Sequence, residues 1–112
     1  MSSVIKQFLG FAKESQKKQK SIKRKSFTSN IIRFNNLIHK QYNNIPFESD
    51  EIVEYDALQT IIQNKKMKFV FHMNKMEKCL RRDSFQYTKD EYKELAKTFE
   101  QLAEYARYRS EP

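Results

Sequence analysis

A chain of 112 residues with one glycine and two prolines has very few places to turn sharply. Strands need turns, and turns mostly need those residue types. The apolar residues also recur at helical rather than alternating spacing, so the sequence predicts an all-α fold. Because 38% of residues are apolar and 32% are charged, the chain can support one modest core. We expect about four to five helices in a single small, partly open bundle with an extended basic N-terminal arm. Residues 1–28 would form an amphipathic helix and that arm, and residues 29–112 the helical domain.

The clearest local signal lies in residues 67–105. Phe69, Met73, Met76 and Leu80 repeat at helical spacing, then Thr88 and Glu91 form the S/T-x-x-E pattern of a capping box. Tyr87 and Tyr92 flank it where a hydrophobic staple would sit. Beyond the box, Tyr92, Leu95, Phe99, Leu102 and Ala106 step by three and four along one seam. Residues 83–87 would be the joint between the two helices.

Upstream, residues 2–12 read as a short amphipathic helix with Val4, Ile5, Phe8 and Ala12 on one face. Residues 13–25 are a polar, low-complexity basic run that cannot bury a face by itself, expected to be disordered unless a partner holds it. A helix is expected from Ser29 or Asn30, as N-cap, to about Tyr42, with Ile31, Phe34, Ile38 and Tyr42 along one side. Asn43, Asn44, Ile45, Pro46 and Phe47 form a loop. Ser49 is the expected cap of a third helix, with Asp50 and Glu51 in its first turn and Val53, Ala57 and Ile61 as its stripe. Asn64 is its expected stop, and a fourth helix runs on to about Arg82.

The net charge of +8 is blocky. Residues 13–25 hold seven bases against Glu14, residues 65–82 seven bases against Glu77, and residues 48–56 five acids and no base. Basic blocks favour anionic surfaces, phosphates among them; the plainer reading of each is a solvated lysine-rich face. A single Cys79 excludes an internal disulfide and suits a reducing compartment. The longest charge-free run, residues 57–64, is far short of the roughly 20 residues a membrane-spanning helix needs. The basic, acid-poor, amphipathic first residues have instead the profile of a mitochondrial targeting segment.

No catalytic constellation is visible. His72, Met76 and Cys79 share a helical face, but nothing completes a metal-binding set, and methionines on an apolar stripe are ordinary core filler. His39 and Cys79 lack partners for acid–base or nucleophilic work, and no glycine-rich phosphate loop exists. We therefore expect no enzyme, no cofactor and no metal.

From Phe34 onward the order of features resembles the small matrix-side accessory subunit of mitochondrial ubiquinol–cytochrome c reductase (respiratory complex III), the subunit-seven or ubiquinone-binding protein family. Phe34, Asn35, Asn36 and Leu37 look like its Phe/Tyr-Asn-Lys-Leu element, and the run from Glu51 to Leu58 is similar to its acidic entry into a Val-x-Glu-Ala-Leu helix. A basic helix follows at residues 65–82, and Thr88, Lys89, Asp90, Glu91 and Tyr92 look like its entry into a long closing helix. The resemblance implies a non-catalytic subunit on the matrix face, packed against larger subunits and needed for assembly.

The expectation is accordingly a structural or assembly subunit of a mitochondrial inner-membrane respiratory complex, most specifically complex III, peripheral on the matrix side. Its partners would be larger protein subunits of a hetero-oligomer, with anionic lipid such as cardiolipin as a further contact. Partner-interface roles fall to Phe34, Leu37, Phe69, Met73, Phe99 and Leu102, and electrostatic anchoring to Lys17, Lys18, Lys20, Lys23, Arg24 and Lys25. The alternative is a basic nucleic-acid-associated protein, such as a mitochondrial ribosomal component or a phage-type inhibitor. A small assembly factor of the short basic three-helix type is a third reading, though its Leu-Tyr-Arg signature is not found near the N-terminus.

Overall fold

The computed structural model describes residues 2–82 and 87–111. Among them the fold is all-α, with four helices and no strand: α1 (Ser2–Lys23), α2 (Phe27–Tyr42), α3 (Ser49–Arg81) and α4 (Lys89–Ser110). Residues 83–86 of the expected joint, and the side chains of Val4, Ile5, Phe8 and Ala12, lie outside what is described. Compact packing divides the chain into two units, Met1–Gln63 and Asn64–Pro112, with the boundary inside α3.

Several helix boundaries depart from the sequence expectation. The basic run is not an extended arm: α1 continues through it to Lys23. Lysine and glutamine are adequate helix formers, and no glycine or proline interrupts the run after Gly10. Ser15 and Ile22, seven residues apart, are both buried, with Lys18 and Gln19 half-buried between them. That narrow stripe is the face that composition alone does not reveal. The Ser15 hydroxyl donates to Asp56 of α3 at 3.3 Å, so this chain itself holds the run in place.

Nor does α3 stop at Asn64. It runs unbroken for 33 residues, about 50 Å at 1.5 Å per residue. Asn64 is followed by lysines and Met67 with no glycine or proline, so nothing removes an i to i−4 bond there.

In the first unit α1, α2 and the start of α3 share a core of Ile22, Phe27, Ile31, Leu37, Val53, Ala57, Leu58, Ile61 and Ile62. Leu37 is fully buried. The N-cap of α2 is Ser26, not Ser29 or Asn30; its hydroxyl accepts from the Ser29 N–H at 3.1 Å. Asn30 is buried instead, and its amide donates to the Ile22 carbonyl at 3.1 Å, satisfying one of the orphan groups at the end of α1. α2 ends in a Schellman arrangement: Ile45 N–H donates to Lys40 O, Asn44 N–H to Gln41 O, and Asn44 adopts φ 56°. At the start of α3, Ser49 is already helical, and the Glu51 carboxylate accepts from the Glu48 N–H at 3.0 Å.

In the second unit the rest of α3 runs antiparallel to α4, with Lys75 over the Tyr87 ring at 5.2 Å and Lys68 4.0 Å from Glu94. The capping box at Thr88 and Glu91 is present with both of its bonds, and Tyr87 and Tyr92 meet edge-to-face at 5.4 Å as the staple. Thr88→Ala removes the hydroxyl half of this box. It is expected to cost about 1 kcal/mol in urea unfolding followed by circular dichroism, whereas Thr88→Ser should leave the midpoint nearly unchanged.

The expected seams rotate slightly. Along α3, Phe69 is buried and His72, Met76 and Cys79 are half-buried, whereas Met73 and Leu80 point to solvent. On α4, Leu95 and Thr98 are buried and Phe99, Leu102 and Tyr105 half-buried, with Tyr92 and Ala106 outside.

Candidate functional site

The charge blocks resolve differently once folded. Two acids of α3 are matched within the first unit: Arg33 of α2 holds Glu54 through a two-pronged contact at 2.7–3.1 Å, and Lys40 reaches Glu51 at 2.7 Å. Glu51 is buried, and its carboxyl lies below the ordinary range, first through the Lys40 hydrogen bond and then through the Glu48 N–H. Arg33 is raised, mainly by its hydrogen bond to Glu54. These acids serve the α2–α3 contact.

The bases of α1 whose side chains are described have no such partners among the described residues. Lys13, Lys17 and Lys20 stand at i, i+4 and i+7, and Arg24, in the turn just past the helix, falls at i+11. At 100° per residue they occupy one narrow stripe opposite Ser15 and Ile22, and all four are exposed. The stripe is about 16 Å long, and none of the four makes an ion pair among the described residues. Neighbouring like charges at this spacing each cost a few tenths of a kcal/mol, so the ridge lowers the stability of the free helix.

The residues assigned to anchoring therefore sort by geometry. Lys17, Lys20 and Arg24 lie on the ridge; Lys23 and Lys25 are exposed away from its centre, and Lys18 is half-buried and shares with Lys17 a shallow groove lined also by Asp50 and Val53 of α3. Lys13 was missed, although its spacing to Lys17, Lys20 and Arg24 is a signal that was open to reading. The six interface residues sort as well. Leu37 and Phe69 are buried inside their own units and offer no surface. Phe34 is half-buried, stacked on Tyr55 at 5.1 Å. Phe99 and Leu102 are half-buried on α4, and Met73 is exposed.

His72, Met76 and Cys79 do share the α4-facing side of α3, and all are half-buried. No group of three His, Cys, Asp or Glu is placed to hold a metal among the described residues. Both ring nitrogens of His72 are buried without a hydrogen-bond partner among them. Burial first, then Lys68 and Lys75, depresses its pKa, with Glu94 opposing. The folded chain thus prefers neutral His72, and protonation favours the unfolded state. The stability that His72 contributes is complete above the unfolded value of about 6.5 and is lost as pH falls below it towards the lower folded pKa. Unfolding midpoints should therefore drop between pH 7.5 and 5.5, and the drop should shrink in His72→Gln but persist in His39→Gln.

No described helix is long and apolar enough to cross a membrane. No family model matches the chain, and searches of curated proteins and of solved structures likewise returned no match.

Proposed function

We propose that this chain is a non-catalytic helical subunit that docks by charge on a larger assembly, and that the assembly is a mitochondrial inner-membrane respiratory complex approached from the matrix side. The observation that carries the docking reading is the unpaired ridge of Lys13, Lys17, Lys20 and Arg24, placed opposite the buried face of α1 while Glu54 and Glu51 of α3 are occupied by Arg33 and Lys40. The narrower identification with complex III rests on the resemblance of the segments around Phe34–Leu37, Glu51–Leu58 and Thr88–Tyr92 to its matrix-side accessory subunit. On this reading the ridge lies along an acidic subunit surface or cardiolipin headgroups. Phe34, Met73, Phe99 and Leu102 supply apolar contact where they remain accessible.

The same ridge favours a second reading. A straight row of bases also suits a nucleic-acid backbone, where phosphate contacts dominate affinity. The two separate on capture of the tagged chain in mild detergent. Respiratory-complex subunits retained after nuclease treatment support the first reading; ribosomal proteins or nucleic acid lost on nuclease treatment support the second.

A further inference from the structure

Between Asn64 and Arg81, α3 has two unlike sides. Phe69 and the half-buried His72 and Met76 turn towards α4. Away from them Met67 and Val70 stand 64% and 52% exposed, and Phe71, 54% exposed, borders the patch within about one helical turn, its ring beside His72 and under Lys75 at 4.7 Å. Together they leave on the order of 300 Å² of apolar surface open, comparable to the largest patch most monomers tolerate. The same arc continues into Asn74, Lys78 and Arg81, with Lys66 and Arg82 at its edges. Its only acid, Glu77, is held by Arg81 at 2.7 Å. Asn74, Lys78, Arg81 and Arg82 also line a shallow depression at the basic end.

We infer that this face of α3 is an interfacial membrane-binding surface that lies flat on an anionic bilayer. Its chemistry is that of helices seated in the interface plane: apolar side chains on one arc, bases beside them, too little hydropathy to span. Charge complementarity selects the surface. On this arc Lys66, Lys78, Arg81 and Arg82 stand with one paired acid, Glu77, while Lys68 and Lys75 turn to α4, and a phosphate headgroup layer satisfies the four in any register, their stems reaching past the acyl boundary. The α4-facing side is already occupied, which fixes the orientation: Met67, Val70 and Phe71 enter the acyl boundary while Lys78 and Arg81 sit among phosphates. A phospholipid bilayer supplies both layers.

The chain has no tryptophan, so Met67→Trp installs a single depth probe at an exposed position. In the full chain, titration with phosphatidylcholine vesicles containing cardiolipin should shift the indole emission to the blue, and brominated acyl chains should quench it. Adding Val70→Asp should weaken vesicle binding roughly tenfold or more, and Lys78→Gln with Arg81→Gln should remove the preference for anionic over pure phosphatidylcholine vesicles. Far-UV circular dichroism confirms that each variant folds. Unshifted, unquenched indole emission on vesicles that the chain does bind would overturn the inference, leaving lipid contact to the α1 ridge. Absence of vesicle binding, or a blue shift obtained only with a co-purified protein, would overturn it equally. The inference stands apart from the identity of the complex. Failed capture of respiratory subunits with indole quenching intact removes only the proposed function, and the converse removes only this surface.

Discussion

Leu37→Ala is expected to destabilise the first unit by about 3 kcal/mol. Leu37 is fully buried in the core of the first unit, and truncation leaves a cavity that its surroundings only partly fill. Native domains hold roughly 5–15 kcal/mol in total, so this single change removes a large share. For a unit of this size the melting temperature should fall by roughly 15 °C. Ile32→Ala, on the same helix but exposed, should shift it by no more than about a degree or two. The comparison also decides a question of role. A residue serving only a partner surface could be truncated without cost to the free chain; a loss below about 1 kcal/mol for Leu37→Ala would return it to that role.

The second large effect has opposite signs in binding and stability. Changing Lys13, Lys17, Lys20 and Arg24 together to glutamine removes the ridge while keeping helix propensity. At about 1 kcal/mol per base near an anionic surface, affinity for the docking partner should fall about a thousandfold. The free chain should become slightly more stable, because the like-charge neighbours are gone. Raising the salt concentration should weaken the wild type steeply and the variant hardly at all. Changing Lys65, Lys66 and Lys68 instead should leave this binding largely in place, since those residues lie in the other unit.

Local signals were the most readable in the sequence. The Thr88–Glu91 capping box and the Tyr87–Tyr92 staple depend only on residues within one turn, and both are present as read. The all-α class was legible for the same reason: scarcity of glycine and proline acts along the whole chain. What was not legible depended on distant partners. Ser15 and Ile22 look trivial in a lysine-rich run until Asp56 and the α2 amide of Asn30 meet them. Asn64 resembles a stop, but a stop needs a backbone that turns away, and no glycine or proline follows. Leu37 and Phe69 carry the same apolar character as an interface anchor; burial alone distinguishes core from docking surface, and burial is a tertiary property. The sequence shows five acids in residues 48–56 but not that Arg33 and Lys40 take up two of them, Glu54 and Glu51. Glu48, Asp50 and Asp56 stay exposed, so the first unit carries acids at its surface as well as the α1 ridge.

The central claim is that α1 docks this chain on a respiratory complex through four unpaired bases. Quantitative affinity capture in mild detergent, with wild type and the four-glutamine ridge variant in parallel and nuclease present, tests it most directly. The account predicts complex III subunits with the wild type, their loss with the folded variant, and release of the wild-type complex by salt. Equal recovery with both chains, or capture of ribosomal or nucleic-acid partners in their place, would contradict it.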